Sequence, residues 1–292
     1  MSESVIADFV AQFDSSVATR GEPTQGRVLL SQKRLVLAVN SDDRLTIPLT
    51  SIVDIAIGHV PEELSGFFQS TVTIAFELQN RTHRAVIETE NSTIRKFSTV
   101  LFKAVLNGTQ VTVKHPARVG GRVTNETFDP ARLFLEEQTV RFKRADESVE
   151  IELATVTEFT REERDIAGKS RPVLEFQHMP NGEAMVTMAA LNTRRKMSIL
   201  GRYLRIEYTE LINELKDIEI GSDEKEILTA VYSGGGMEGV SLADIVDTDP
   251  SNVTMILNRL EEKDLVVDSP SGTQLTPKGQ IVVNRHLEDV NV

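Results

Sequence analysis

The residues best suited to bind an anion form two basic clusters at repeated positions. Arg194, Arg195 and Lys196 form one cluster, and Arg95 and Lys96 occupy the matching positions one hundred residues earlier. Both clusters fall at the predicted start of a helix, where the helix dipole favours negative charge. Cations at a helix start that faces solvent need no further explanation. Because positive charge is unfavourable at this end of a helix and occurs in both copies, it also indicates an acidic or phosphorylated partner. We take these five residues as candidate partner contacts.

A pair of neighbouring aromatic residues is the second feature that a partner could recognise. Phe67 and Phe68 stand between Gly66 and Gln69, in a predicted loop. We favour a loop that packs back into the first core, and the alternative is an exposed aromatic anchor for a partner. Both residues are kept as candidate contacts.

Residue types that carry catalysis or bind metals are scarce or poorly arranged. The chain has no Cys, which excludes a thiolate zinc site and a cysteine nucleophile. Residues 234–239 match G-x-G-x-x-G, but they follow a predicted helix rather than a strand, so we interpret them as an inter-helix loop. The histidines lack ligand spacing and are expected at the surface or in loops: His59, His83, His115, His178 and His286. We predict no enzyme activity, no metal and no cofactor.

Composition and charge place the chain among ordinary globular proteins. Its 292 residues are 40% hydrophobic and 26% charged, which is enough for the cores of two or three domains. The N-terminus lacks the basic region of a signal peptide, and no apolar run approaches the roughly 18–20 residues that span a bilayer. We therefore expect a cytoplasmic protein without membrane insertion.

An internal repeat determines the predicted architecture. R-V-L-L-S-Q-K-R-L-V-L, which starts at Arg27, is echoed by R-L-F-L-E-E-Q-T-V-R-F, which starts at Arg132. Further along, T-x-R-K-[F/M]-S occurs at Thr93 and again at Thr193. Two copies of about 100 residues can each carry a core, so we predict a duplicated domain rather than a solenoid.

Each copy changes from strand to helix periodicity. Apolar residues alternate with polar ones over residues 45–49 and 149–153, and this pattern predicts half-buried strands. Helical spacing follows after Thr93 and after Asn192 or Thr193, which are the predicted N-caps. A bent antiparallel sheet closed by one C-terminal helix is the pleckstrin-homology-like plan. We predict α+β architecture, with such domains over residues 1–116 and 117–220.

The first residues have an apolar pattern of their own. Val5, Ile6, Phe9, Val10 and Phe13 lie on one side of a helical wheel, so Met1 to Phe13 is predicted to be a short amphipathic helix. We favour packing of this helix on the first domain over docking to a membrane or a partner.

The last 72 residues, 221–292, follow the order helix, helix, helix, hairpin, helix. Asp249-Pro250 is a strong start signal for the third helix, and L-V-V-D, S-P-S-G and T-Q-L-T predict a hairpin after it. The fourth helix is predicted to begin near Pro277. This order is typical of a winged-helix domain.

The charge of this predicted domain disfavours nucleic acid. Residues 222–292 carry 13 acidic and 5 basic side chains, or −8 of the total charge of −12. The predicted recognition helix offers only Arg259 and Lys263 as cations, whereas a DNA-binding domain needs several phosphate contacts. A module for protein interaction is therefore favoured. The competing hypothesis is a winged-helix transcription regulator with N-terminal sensing domains.

The order of segments resembles the archaeal taxis family CheF. The resemblance covers residues 5–288 and rests on R-V-L-L-S-Q-K-R-L-V-L, on the repeated R-K-[F/M]-S helix start and on the terminal L-N-R-L-E-E-K-D-L-V. It implies an adaptor that links the phosphorylated response regulator CheY to the archaellum motor switch and controls the direction of archaellum rotation. It also implies CheC- and CheD-type chemotaxis proteins as partners. No binding residues are transferred from the family.

Overall fold

The chain folds into two compact units of α+β class. The computed structural model describes residues 4–17, 22–62, 64, 66–67, 69–136, 138–216, 218–234, 242–246, 249–269 and 272–290. The first unit comprises Met1–Val111, Arg132–Glu136 and Leu191–Ile206. The second comprises Thr112–Ala131, Glu137–Ala190 and Glu207–Val292.

The first sheet has seven antiparallel strands in the order β4-β3-β2-β1-β7-β6-β5. The strands are β1 (Val5–Ser15), β2 (Thr24–Ser31), β3 (Arg34–Ala38), β4 (Arg44–Pro48), β5 (Ile52–Ile57), β6 (Ser70–Leu78) and β7 (Arg81–Thr89). Helix α1 (Asn91–Leu106) follows and buries the apolar side chains of Ile94, Phe97 and Leu101. One helix thus covers the apolar face of one sheet.

The second sheet repeats this plan. Its strands run in the order β12-β11-β10-β8-β15-β14-β13, with the short β9 paired to β8. They are β8 (Thr109–Val119), β9 (Arg122–Val123), β10 (Asp129–Leu135), β11 (Thr139–Lys143), β12 (Ser148–Glu152), β13 (Val156–Ile166), β14 (Lys169–His178) and β15 (Met185–Leu191). Helix α2 (Arg194–Lys216) follows. Apart from β9, the order is that of the first sheet, which confirms the repeat predicted from the sequence.

Matching hairpins explain why the repeat is visible in the sequence. In the first copy, Leu35 of β3 pairs with Ile47 of β4, and both are buried. In the second copy, Val140 of β11 pairs with Ile151 of β12, and both are buried. Because alternate strand residues point to one face, the apolar positions recur at fixed spacing in both copies.

The N-terminal helix predicted for Met1 to Phe13 is wrong, because this segment contains most of strand β1. Residues Asp8 to Phe13 pair with β2, from Leu29 back to Thr24. Ala11 and Phe13 are buried, and Gln12 between them is exposed, so the period is two rather than 3.6. For this short apolar segment, pairing with β2 decides the conformation, and the helical spacing of its apolar residues does not.

One predicted helix cap is confirmed and one is wrong. Thr193 precedes α2, and its hydroxyl accepts a hydrogen bond from the Lys196 backbone N–H at 3.3 Å. Thr93, by contrast, lies inside the first turn of α1, which Glu90 precedes without a side-chain cap. Helix α1 therefore begins two residues before the repeated threonine, whereas α2 begins one residue after it.

The C-terminal segment has the predicted order of elements. These are α3 (Ser222–Gly234), α4 (Leu242–Ile245), α5 (Pro250–Glu262), β16 (Val266–Ser269), β17 (Gly272–Leu275) and α6 (Pro277–Val290). The Asp249 carboxylate caps α5 by accepting from the Ser251 N–H at 2.8 Å, as predicted. The side chains of Ile227, Ile256 and Leu260 form the core with β16 and β17. Most of the glycine-rich stretch at residues 234–239 lies outside the described residues.

Two helical glycines give opposite stability predictions. A Cβ added at Gly279 of α6 would lie 2.0 Å from the Leu265 carbonyl oxygen, whereas Gly201 of α2 has open space around it. We expect Gly279→Ala to lower the free energy of unfolding by about 1–3 kcal/mol through overpacking. The matched Gly201→Ala should raise it by about 0.5–1 kcal/mol through helix propensity. Urea unfolding checks both, and equal effects of the two substitutions would contradict the close contact at Gly279.

Candidate functional site

The basic cluster at the start of α2 makes contacts within the first unit. The Arg195 guanidinium forms an ion pair with the Glu77 carboxylate at the end of β6. The Lys196 ammonium donates to the Thr109 hydroxyl at 2.9 Å, and burial lowers the pKa of Lys196. These two candidate residues therefore help to hold the first unit together.

Further along α2, two more residues bind the same unit. Arg202 pairs with the Asp54 carboxylate of β5 at 2.9 Å. The Tyr203 side chain is fully buried, and its ring centroid lies 5.9 Å from that of Phe102 in α1. Because these residues follow one another along the helix, the first half of α2 is a structural part of the first unit.

The equivalent cluster on α1 is exposed. The Arg95 and Lys96 side chains both face solvent, and Arg194 at the start of α2 is exposed as well. Arginine in such a position can bind a carboxylate or phosphate in a bidentate manner, and lysine can bind it as a point charge. Of the five candidate cations, these three are the exposed ones.

The aromatic pair is only partly described. Phe67 lies in the connection between β5 and β6 and is half-buried. Phe68 lies outside the described residues. The structure therefore shows one member of the predicted pair, in a position between core and surface.

Two histidines that the sequence analysis placed at the surface or in loops are brought together in the second unit. The Thr187 hydroxyl lies 2.7 Å from His115 Nδ1 and 2.9 Å from His178 Nε2, and the two rings stack with centroids 6.2 Å apart. Thr187 is fully buried, and His178 is 2% exposed. Burial and the neighbouring His115 lower the pKa of His178 to about 4, so the imidazole is neutral at pH 7. The surface prediction is wrong for His178.

His178 also lines a cleft of about 930 Å³ in the second unit. The polar side chains around this cleft are mostly paired. Tyr208 donates to the Thr157 carbonyl at 3.0 Å, and Gln177 donates to Glu158 at 2.7 Å. His178 Nδ1 is buried without a hydrogen-bond partner among the described residues. The apolar lining comes from Met179, Met185, Val186, Ile212 and Ile281.

Arg259 of α5 and Lys263, the residue that follows this helix, are both directed to a buried acid. Lys263 Nζ lies 2.7 Å from the Glu224 carboxylate, and Arg259 Nε lies 3.7 Å from it. Burial opposes ionisation of Glu224, but the hydrogen bonds from Lys263 and the Gly221 N–H outweigh it and lower its pKa. Cations engaged in this way are poorly placed to neutralise phosphate, so the geometry gives no support to the transcription-regulator hypothesis.

Two further properties concern the described part of the chain. None of its helices is long and apolar enough to span a bilayer. Among the same residues, no group of three or more His, Asp or Glu side chains is arranged to hold a metal ion.

Comparison with known proteins identifies the family. A family profile described as archaeal chemotaxis signal transduction system protein F matches residues 5–210. This chain belongs to the CheF family. A second profile, described only as a domain of unknown function, matches residues 219–288. The chain is therefore a protein of archaeal taxis signal transduction.

CheF relatives extend this similarity along the whole chain. Taxis protein CheF2 of Halobacterium salinarum is 44% identical over 292 residues, which covers all of both chains. Taxis protein CheF1 of the same organism is 28% identical over 256 residues, covering 87% of this chain and 85% of that one.

One solved structure is less informative for this CheF chain. Inner membrane complex sub-compartment protein 3 of Toxoplasma gondii matches 39% of this chain and 86% of its own, at 12% identity and a TM-score of 0.28. A TM-score this low does not establish a shared fold.

The pairing of His115 with His178 was missed because no local pattern joins them. The two residues lie 63 positions apart, on β8 and β14. A weak signal existed for His178, since it ends the segment P-V-L-E-F-Q-H, whose apolar residues are typical of a buried strand. A polar residue that continues a buried strand is itself a candidate for burial.

The depressed pKa of His178 predicts how stability depends on pH. The unfolded chain binds a proton below about pH 6.5, whereas the folded chain keeps His178 neutral until about pH 4. Folding stability should therefore fall as pH drops from 7 to 4.5, by about 2 kcal/mol from this residue. His178→Gln should reduce the slope of unfolding free energy against pH, measured by urea unfolding. The control is His59→Gln at an exposed site, and an equal change of slope in both variants would contradict the assignment.

Proposed function

We propose that this CheF chain is an adaptor that links phosphorylated CheY to the archaellum motor switch and so controls the direction of rotation. The observation that carries the proposal is the family match over residues 5–210, together with the full-length relative CheF2. CheC- and CheD-type chemotaxis proteins are the further partners we propose. Binding that differs between the two forms of CheY would bias the switch, because a ligand shifts an equilibrium only by its differential affinity.

The proposed architecture suits a connector. We assign pleckstrin-homology-like domains to residues 1–116 and 117–220, and a winged-helix domain to residues 221–292. Two sheets of equal strand order, each followed by a helix, support the first assignment. Three helices, a two-stranded hairpin and a final helix support the second. Domains of these kinds present surfaces for partners, which agrees with a role in signal transmission rather than catalysis.

The proposed contacts are the exposed candidate cations. Arg95, Lys96 and Arg194 are exposed. Arg195 and Lys196 follow Arg194 in the sequence and occupy the positions equivalent to Arg95 and Lys96. Phe67 and Phe68 are proposed as a separate aromatic contact. We place the three exposed cations at the centre of the surface, because Arg195 and Lys196 are only half-exposed.

Binding to the two forms of CheY tests the role. The purified chain should bind phosphorylated CheY at least about fivefold more tightly than the unphosphorylated form, measured by titration calorimetry. Equal affinity for both forms would overturn the proposed mechanism. A deletion strain that still reversed its swimming direction in response to stimuli would overturn the role itself.

Charge reversal tests the contact surface separately from the role. We expect Arg95→Glu combined with Lys96→Glu to weaken CheY binding by about tenfold, because opposed like charges replace attractive contacts. The matched control is Arg122→Glu, at an exposed residue on β9. If the double variant bound CheY like the wild type while discrimination between the two forms persisted, the role would stand and the surface would lie elsewhere.

A further inference from the structure

The cleft that His178 lines has the size of a small-molecule site. Its volume is about 930 Å³, close to the upper end of the roughly 300–1,000 Å³ that is usual for such sites. Strands β13, β14 and β15 contribute to its lining, and so do helices α2, α3 and α6, through Ile212, Tyr232 and Asn284. All of the described lining residues belong to the second unit.

The lining carries no net charge. Among its described residues, Arg118 is the one permanent cation and Glu158 the one carboxylate. Arg118 pairs with Glu175 at 3.5 Å, and Glu158 accepts a hydrogen bond from Gln177 at 2.7 Å. A charged ligand would lose its hydration in this cleft without gaining an unpaired counter-charge. The lining therefore favours an uncharged ligand.

The apolar part of the lining suits an aromatic body. Met179 and Met185 are both half-buried, and an unbranched thioether rearranges readily and makes favourable contacts with aromatic rings. Tyr232 of α3 is 45% exposed and offers a further aromatic ring. The two methionines also allow this side of the cleft to adjust to the shape of a ligand.

The hydroxyl of Thr187 determines the chemistry of the unpaired His178 Nδ1. Thr187 has one hydroxyl proton, but it lies within hydrogen-bond distance of both His115 Nδ1 and His178 Nε2. One imidazole therefore accepts this proton, and the other donates its own N–H to the hydroxyl oxygen. If His178 donates from Nε2, its neutral ring leaves Nδ1 as a bare acceptor.

The opposite arrangement is less favourable. It would place a proton on His178 Nδ1, which is buried and has no partner among the described residues. A buried N–H without an acceptor is rarer in proteins than a buried acceptor without a donor. We therefore assign the proton of the His178 ring to Nε2, and the lining of the cleft then includes an unsatisfied acceptor.

We propose that this cleft binds an uncharged aromatic molecule that donates one N–H or O–H hydrogen bond to His178 Nδ1. Such a ligand satisfies a buried acceptor that otherwise stays unpaired. Because Nδ1 is shielded from solvent, the ligand has to displace part of the lining, which the flexible side chains of Met179 and Met185 permit. The candidate cations for CheY contact do not line this cleft, so the site is independent of the adaptor role.

Two matched probes test the class of ligand. N-Phenyl-1-naphthylamine is uncharged and aromatic and has one N–H donor. When the purified full chain is titrated into the probe, its fluorescence should saturate with a dissociation constant of about 1–10 µM. The probe 5-anilinonaphthalene-1-sulfonate has the same rings and N–H but carries a negative charge, and it should bind at least about tenfold more weakly. Equal affinity for both probes, or no saturation by the neutral probe up to about 100 µM protein, would overturn the proposal.

A pair of alanine substitutions tests the location. Ala184 is an exposed residue of the lining, and Ala184→Trp should weaken binding of N-phenyl-1-naphthylamine at least about tenfold by filling the cleft. The control is Ala145→Trp, at an exposed position of the same unit that does not line the cleft, and it should leave the affinity unchanged. Equal effects of the two substitutions would place the probe elsewhere and overturn the proposal.

Nitrogen NMR of the imidazole rings tests the hydrogen bond in the unaltered chain. The Nδ1 signal of His178, identified by its absence from the spectrum of His178→Gln, should move upfield when N-phenyl-1-naphthylamine binds, because the nitrogen then accepts a hydrogen bond. The signals of His59, which is exposed in the first unit, should stay in place. An unchanged His178 signal at saturating probe would overturn the proposal, even if the probe bound.

Discussion

The apolar face of each antiparallel sheet must be covered, and the rest of the structure depends on how helices do so. In the first unit, α1 buries Ile94, Phe97 and Leu101, each worth about 1.5–3 kcal/mol when removed from water. Phe102 extends this core to the buried Tyr203 of α2. The helix that ends the second copy of the repeat thus completes the core of the first unit along its N-terminal half.

This arrangement explains why one repeated motif has two environments. In α2, Arg195 is held by Glu77 and Lys196 by Thr109, because the start of this helix packs in the first unit. In α1, the equivalent Arg95 and Lys96 are exposed. The motif that packs within the first unit in one copy is therefore exposed to solvent in the other. The tertiary surroundings alone give one repeated sequence these two environments.

The C-terminal module shows how charge limits function. Its order of helices and hairpin is the one that the sequence predicts, but Glu224 engages both Lys263 and Arg259, the cations on which phosphate contact would depend. The same module carries most of the net negative charge of the chain. The charges of this segment thus give no support to DNA binding, which agrees with membership of a taxis family.

The sequence by itself determined the repeat, the cap at Asp249, the terminal hairpin and the family, because these depend on local spacing and on the order of segments. Only the tertiary structure decided that the first residues form a strand, that His115 and His178 share Thr187, and which cations are engaged. Arg195 and Glu77 are 118 residues apart, and Arg202 and Asp54 are 148 apart. Contacts over such separations arise from the packing of whole elements, and no local periodicity encodes them.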